Sequence, residues 1–140
     1  MTLTTVQAQV TKTNASTASF KGAGIDISGI TGDWTLKVNV AAMADSVTAN
    51  APVVRFQFVD TVDDYTHSVV GPTLSFKGTI ASSYDRVRSF KKQDFPDLRV
   101  GVASAQLRLD MSNLQSYVAG AAVPAATTTC TTTYSAWIES

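Results

Sequence analysis

The side chains that most often perform catalysis are scarce in this chain. Its 140 residues include one His, one Cys and one Glu. Nucleophilic catalysis needs a nucleophile, a base and a group that orients the base, and no serine stands in a G-x-S-x-G turn. His67 and Cys130 are the two residue types of a Cys–His catalytic dyad. However, the threonines around Cys130 supply no positive charge to lower the pKa of its thiol. We therefore predict that the protein is not an enzyme and has neither catalytic residues nor a cofactor.

One group of carboxylates raises the question of a bound cation. Asp60, Asp63 and Asp64 lie close together in the sequence, and Asp85 could approach them. Such oxygens suit Ca²⁺, but the D-x-[DN]-x-[DN]-G frame and a following Glu are missing. Because aspartates also cap turns through their own backbone, we expect that role and predict no metal site, although cation binding by this cluster stays open. One Cys and one His cannot close a zinc site.

Charge is concentrated between residues 84 and 97, where basic and aromatic residues are interleaved. This pattern resembles a face that binds single-stranded nucleic acid. However, 11 Lys and Arg balance 11 Asp and Glu, so no net positive field attracts a polyanion. A solvated face is one interpretation; a protein-docking patch is the other, since Arg and aromatic residues are enriched in interfaces. The candidate interface residues are Arg86, Arg88, Phe90, Lys91, Lys92, Phe95 and Trp137.

Aromatic rings also raise the alternative of a carbohydrate ligand, whose faces stack on such rings. Trp34 alternates with Leu36 and Val38, which predicts a position in the core. In the last segment, Trp137 points away from Tyr134 and Ile138, so that one of the two faces is exposed or docked on a partner.

Alternation with a period of two recurs along the chain and predicts strands. The clearest is 34–40, with Trp34, Leu36, Val38 and Val40 on one side and polar residues on the other. Residues 41–52 are expected to form a connection, and Gly71-Pro72 a turn. Further strands are predicted at 4–10, 19–21, 25–27, 53–60, 68–70, 73–80, 86–90, 98–102, 105–111 and 134–140.

These elements predict an all-β fold: a single antiparallel β-sandwich of about eight strands over residues 1–140, jelly-roll or immunoglobulin-like. Residues 1–16 are a candidate N-terminal arm. Residues 119–133 have low-complexity composition and are predicted to form a flexible loop. The first residues contain neither the basic nor the apolar region of a signal peptide, so we predict none. The sequence has no run of 18 apolar residues, which a membrane-spanning helix would need. We therefore expect synthesis in the cytoplasm.

Several segments resemble the small structural proteins of tailed-phage particles, especially capsid decoration (cement) proteins. They are VVRFQFVDTVDDY (53–65), GPTLSFKG (71–78), SYDRVRSFKKQDFPDLRVGVASAQLRL (83–109) and YSAWIES (134–140). The resemblance implies a virion protein that binds the outside of the major capsid lattice and stabilises the head. Its partners would be the major capsid protein and copies of itself, with no nucleic acid or membrane. Tail and fibre proteins share this composition, so a carbohydrate-binding or adhesin module is the alternative.

Overall fold

The computed structural model describes residues 1–15, 18–62, 67–82, 86–124 and 127–140. Over these residues the chain forms eleven β-strands and one 3₁₀ turn, Lys92–Asp94, and none of its helices is long and apolar enough to cross a membrane. The strands are β1 Leu3–Ala15, β2 Ser19–Lys21, β3 Ile25–Asp26, β4 Thr35–Asp45, β5 Val53–Val62, β6 His67–Lys77, β7 Arg86–Lys91, β8 Gln106–Asn113, β9 Tyr117–Val118, β10 Ala121–Ala122 and β11 Thr129–Glu139.

Two antiparallel sheets pack against each other, which confirms the predicted β-sandwich, with more strands than expected. The first sheet has the order β1-β11-β4-β7. The second has the order β2-β8-β5-β6, with β3 also paired to β8, and β9 and β10 form a separate small hairpin. Phe56 of β5 meets Tyr134 of β11 across the interior, with ring centroids 5.0 Å apart. In these two orders β7 is the last strand of the first sheet and β6 is the last strand of the second, so both lie at sheet edges.

The core follows the period of two that the sequence displays. In the segment 34–40, Trp34, Leu36, Val38 and Val40 are all buried, as predicted. Strand β8 alternates strictly between half-buried and buried residues. Successive side chains of a strand point to opposite faces, so each strand places one apolar row between the sheets. Burying a side chain of this size contributes about 1.5–3 kcal/mol.

Two predicted connections turn out to be strands. Residues 41–45 continue β4, because the pairing with β11 shifts between Thr133 and Tyr134 and Met43 returns to the core. Strand β6 passes straight through Gly71-Pro72 because its pairing with β5 shifts between Gln57 and Val59. Two residues then face Phe58, which is a β-bulge, and an edge strand tolerates Pro at such a place. A Cβ atom on Gly71 would lie only 2.7 Å from the Phe58 carbonyl oxygen.

The candidate arm and the low-complexity loop also contribute strands. Residues 3–15 form β1, and residues 129–133 begin β11, with which β1 pairs along its length. The hydroxyls of Thr11 and Thr133 lie 2.8 Å apart, and those of Thr13 and Thr131 lie 2.9 Å apart. Threonine is β-branched and favours strands, and cross-strand Thr pairs stabilise a sheet. The threonine run therefore orders the chain instead of loosening it.

The strand predicted over 98–102 is absent, and residues 96–104 form turns and bends. Gly101 and Ser104 adopt positive φ angles of 85° and 65°, which an extended strand does not allow. The segment is held at its start, where the Arg99 backbone N–H donates a hydrogen bond of 2.6 Å to the Asp60 carboxylate.

Candidate docking surface

Strand β7 carries four of the predicted interface residues at an edge of the first sheet. Arg86, Arg88 and Lys91 are exposed, whereas Phe90 is half-buried. The Phe90 ring lies edge-on to Phe58, at 6.1 Å between centroids, and to Phe95, at 5.7 Å. The two phenylalanines of the predicted patch therefore anchor β7 to the core, and the basic residues form its surface.

The register shows which backbone groups of β7 face outward. Residues 35–40 of β4 pair with residues 91–86 of β7 without interruption, and the Lys92 N–H donates to the Trp34 carbonyl at 3.2 Å in the same register. In an antiparallel ladder every second residue exchanges hydrogen bonds with its partner strand. Because the Lys92 N–H bonds to β4, the backbone groups of the other even-numbered residues of β7 (86, 88 and 90) also bond to β4. The N–H and C=O groups of Val87, Ser89 and Lys91 therefore point away from it.

A polar cleft of about 230 Å³ opens between β6 and β7. The residues that line it include two arginines, Arg86 and Arg88, together with Ser75 and Thr79. Lys77 also lines it, but its ammonium group lies 4.8 Å from the centroid of the Tyr117 ring. The Arg88 guanidinium carbon lies 5.3 Å from the centroid of the Phe76 ring on β6. A guanidinium over a ring face is attracted by the electrons of the ring, so this contact places positive charge at the mouth of the cleft.

The remaining predicted residues do not join this cleft. The Lys92 ammonium group donates to the Gly32 carbonyl oxygen at 2.8 Å. Trp137 pairs with Lys37, which in turn pairs with Ser89. Trp137 therefore lies two strands from β7, about 10 Å away. The predicted residues thus occupy two separate surfaces.

Trp137 lies on the outer face of the first sheet, beside a groove of about 320 Å³. Its indole N–H donates to Glu139 at 3.1 Å, and the Lys37 ammonium lies 3.0 Å from the other oxygen of Glu139. The hydrogen bonds from Trp137 and Lys37 lower the pKa of Glu139. The network fixes the orientation of the indole ring before any ligand arrives.

Of the groups considered for catalysis or metal binding, the structure describes the side chains of Asp60 and Cys130. Across the residues that the structure describes, no three His, Cys, Asp or Glu side chains come together as a metal site would need. Asp60 is fully buried and accepts the Arg99 N–H, which is a contact with a distant segment and not the cap of a local turn. The side chain of His67 and residues Asp63, Asp64 and Asp85 lie outside the described part.

The single thiol is enclosed in the core. Cys130 is 4 % exposed, with its sulfur 3.5 Å from the Thr132 hydroxyl. Burial raises the pKa of the thiol, and the nearby carboxylate of Asp45 raises it further. The thiolate form, which is the nucleophile, is therefore disfavoured.

A polar network around Asp45 was missed by the sequence analysis. One carboxylate oxygen accepts the Val47 N–H at 2.8 Å and the Asn50 amide at 3.2 Å. The other accepts the hydroxyls of Ser116 at 2.6 Å and Thr128 at 3.0 Å. The local signal is an Asp two residues before a turn N–H, but Ser116 and Thr128 are distant in sequence. The bonds join three loops, so this buried carboxylate is a structural centre.

No protein-family model, curated protein or solved structure matches the chain. The features that bear on its function are therefore the β7 edge with its cleft, the groove beside Trp137, and the resemblance seen in the sequence. Of the two surfaces, the edge at β7 offers both open backbone groups and charge.

Proposed function

We propose that the protein is a non-enzymatic structural protein of a virus particle, a decoration protein that attaches to the outer surface of the capsid lattice and stabilises the head. The observation that carries this proposal is the β7 edge, where outward backbone groups lie beside a cleft lined by two arginines. This arrangement suits attachment to another protein. The sequence resemblance supplies the kind of partner, a major capsid protein.

The architecture suits many copies on a repeating surface. The formal net charge of +0 lets copies sit close together without long-range repulsion. Repeated attachment on a lattice strengthens modest individual contacts.

The proposal predicts that the protein is a high-copy component of particles. Native particles from the source organism would be purified by sedimentation, and copies per particle counted by quantitative mass spectrometry against the major capsid protein. We expect copies in the hundreds, because a decoration protein follows the lattice. Copies in the tens would favour a tail or fibre component, and absence from the particles would contradict a virion role.

A carbohydrate-binding module is the second candidate, and the groove beside Trp137 favours it. The groove places the neutral polar side chains of Thr5, Gln7 and Gln9 next to the indole ring. A ring of fixed orientation with hydrogen-bonding groups at its rim offers both stacking and polar contacts to a neutral sugar. In this case the protein would belong to a tail or fibre.

This second candidate predicts that Trp137→Ala lowers the affinity for a neutral oligosaccharide found in a glycan screen by roughly tenfold, which corresponds to ~1.4 kcal/mol of lost contact. Binding would be measured by isothermal titration calorimetry, because Trp137→Ala removes the tryptophan that would report it by fluorescence. Because Trp34 is 3 % exposed, Trp34→Phe is the matched control and should leave the affinity in place. Unchanged affinity in Trp137→Ala would remove the groove as a sugar site.

A further inference from the structure

We propose that β7 binds its partner by strand addition: an extended, acidic segment of another protein pairs with the outward edge of β7, and its carboxylates enter the cleft between β6 and β7. This inference rests on the proposed function, since the lattice would supply that segment. It adds the mode of attachment and the chemistry of the partner.

The backbone of β7 is a regular template for a new strand. Val87, Ser89 and Lys91 direct their N–H and C=O groups outward, as the register with β4 requires. Among the described residues, β7 pairs with no strand on that side. Alternate donors and acceptors along an open edge are what an extended peptide uses when it adds to a sheet.

Strand β7 is protected against strand addition by charge and not by its backbone shape. Edges are commonly protected by Pro, by bulges or by charged side chains, and β7 has only the charges, which an acidic partner would neutralise. The β4–β7 pairing runs over six consecutive pairs without a bulge, and β7 contains no Pro. Its outward Val87 carbonyl accepts a hydrogen bond of 3.3 Å from the Arg88 guanidinium, which an incoming N–H can replace. The Val87 side chain is 44 % exposed and offers apolar contact.

Charge selects the kind of partner. Alternate side chains of an added strand would lie on the same side of the sheet as Arg88, facing the cleft that Arg88 lines. A carboxylate at such a position would form a charge-assisted hydrogen bond with the Arg88 guanidinium. Antiparallel pairing of β7 with a second copy would instead set the arginines of both copies against each other, which is destabilising. The occupant that fits is therefore an acidic strand from a different chain.

The backbone part of the proposal is tested by comparing Ser89→Pro with Ser89→Ala. Proline removes the outward N–H while leaving the ladder to β4, a position at which an edge strand tolerates it; alanine keeps the N–H. The probe is a short blocked peptide in which aspartate alternates with valine and threonine, titrated into ¹⁵N-labelled protein. We expect the amides of Val87, Ser89 and Lys91 to shift and to exchange more slowly. Ser89→Ala should retain this response, and Ser89→Pro should lose it.

The charge part is tested separately, which keeps the proposal open to refutation even if Ser89→Pro does not fold. Arg88→Gln should weaken peptide binding several-fold and reduce its salt dependence, whereas Lys21→Gln, which removes one positive charge from β2 of the other sheet, should not. A peptide with lysine in place of aspartate should not bind. Equal binding of both peptides, or no response at the β7 amides, would show that the edge is only a protected surface and would overturn the proposal.

The two proposals fail in distinguishable ways. If the wild-type protein is abundant on particles and Ser89→Pro and Arg88→Gln attach to them equally well, strand addition is wrong and the virion role stands. If the protein is absent from particles but the acidic peptide pairs with β7 as expected, the virion role is wrong and the edge serves another acidic partner.

Discussion

Replacing Asp45 by Ala is expected to lower the free energy of unfolding by about 3 kcal/mol or more, because a hydrogen bond to a charged group contributes ~1.5–3 kcal/mol. The carboxylate accepts four hydrogen bonds, and it is 9 % exposed. Without it, donors from three loops lose their shared acceptor. Urea denaturation measures the change as a lower midpoint with an unchanged slope. A loss as small as that of an exposed surface substitution would contradict the structural role.

The same network predicts how stability depends on pH. Burial alone would raise the pKa of Asp45, but the hydrogen bonds from Ser116, Val47, Thr128 and Asn50 outweigh it and lower the pKa below its ordinary value. A group whose pKa is lowered in the fold stabilises the fold above its unfolded pKa, about 3.9. That contribution is lost as the pH falls through the lower folded pKa.

Unfolding measured from neutral pH down to acid tests this sign. The wild-type protein should lose stability in acid more steeply than Asp45→Asn, in which the titrating group is removed. Asp26→Asn is the matched control: the pKa of Asp26 is also lowered, by hydrogen bonds from Ser28, but its carboxylate is exposed, so the effect on stability should be much smaller. Parallel pH profiles for the wild-type protein and Asp45→Asn would contradict the prediction.

The strands that could be predicted from the sequence are those whose alternation is local. The apolar row of Trp34, Leu36, Val38 and Val40 and the alternation in β8 need no knowledge of the partner strand. The strand predicted at 86–90 is also present, as β7. Each follows from the period of two of an extended chain.

The predictions that were wrong concern elements whose structure depends on contacts between distant parts of the chain. Gly71-Pro72 is a strong turn signal, but the Phe58 backbone opposite makes it a bulge. The threonines of 129–133 look like a loop until β1 supplies paired threonines more than 100 residues away, at separations of 118 and 122. Local patterns do not contain these partners.

At the β7 surface, too, the sequence predicted what is local and missed what depends on distant contacts. Sequence reasoning located the basic segment, because charge density is local. It did not separate the core role of Phe90 and Phe95 from the exposed role of the arginines. Nor did it bring Phe76 of β6 beside Arg88, since β6 and β7 meet only through the packing of the two sheets. Asp45 was missed for the same reason: its partners Ser116 and Thr128 are 71 and 83 residues away.

Phe56→Ala is expected to lower the free energy of unfolding by about 3–5 kcal/mol, the usual cost of removing a buried aromatic ring. Phe56 is fully buried, with ring centroids 5.8 Å from Phe76 and 5.0 Å from Tyr134. It therefore touches its own sheet and the opposite one, and its loss leaves a cavity between them. Denaturant unfolding measures the change. Val87→Ala, an exposed control on β7, should stay within about 0.5 kcal/mol of the wild-type protein.

The same substitution should also weaken the docking surface. Phe56 packs against Phe76, and Phe76 carries the Arg88 guanidinium on its ring, so the core and the mouth of the cleft are joined by two successive contacts. When Phe76 loses its neighbour, its ring gains freedom and positions Arg88 less well. Under conditions where Phe56→Ala is still folded, we expect weaker binding of the acidic peptide and intact protection of the β4–β7 amides. Undiminished binding would show that the cleft is positioned independently of the core.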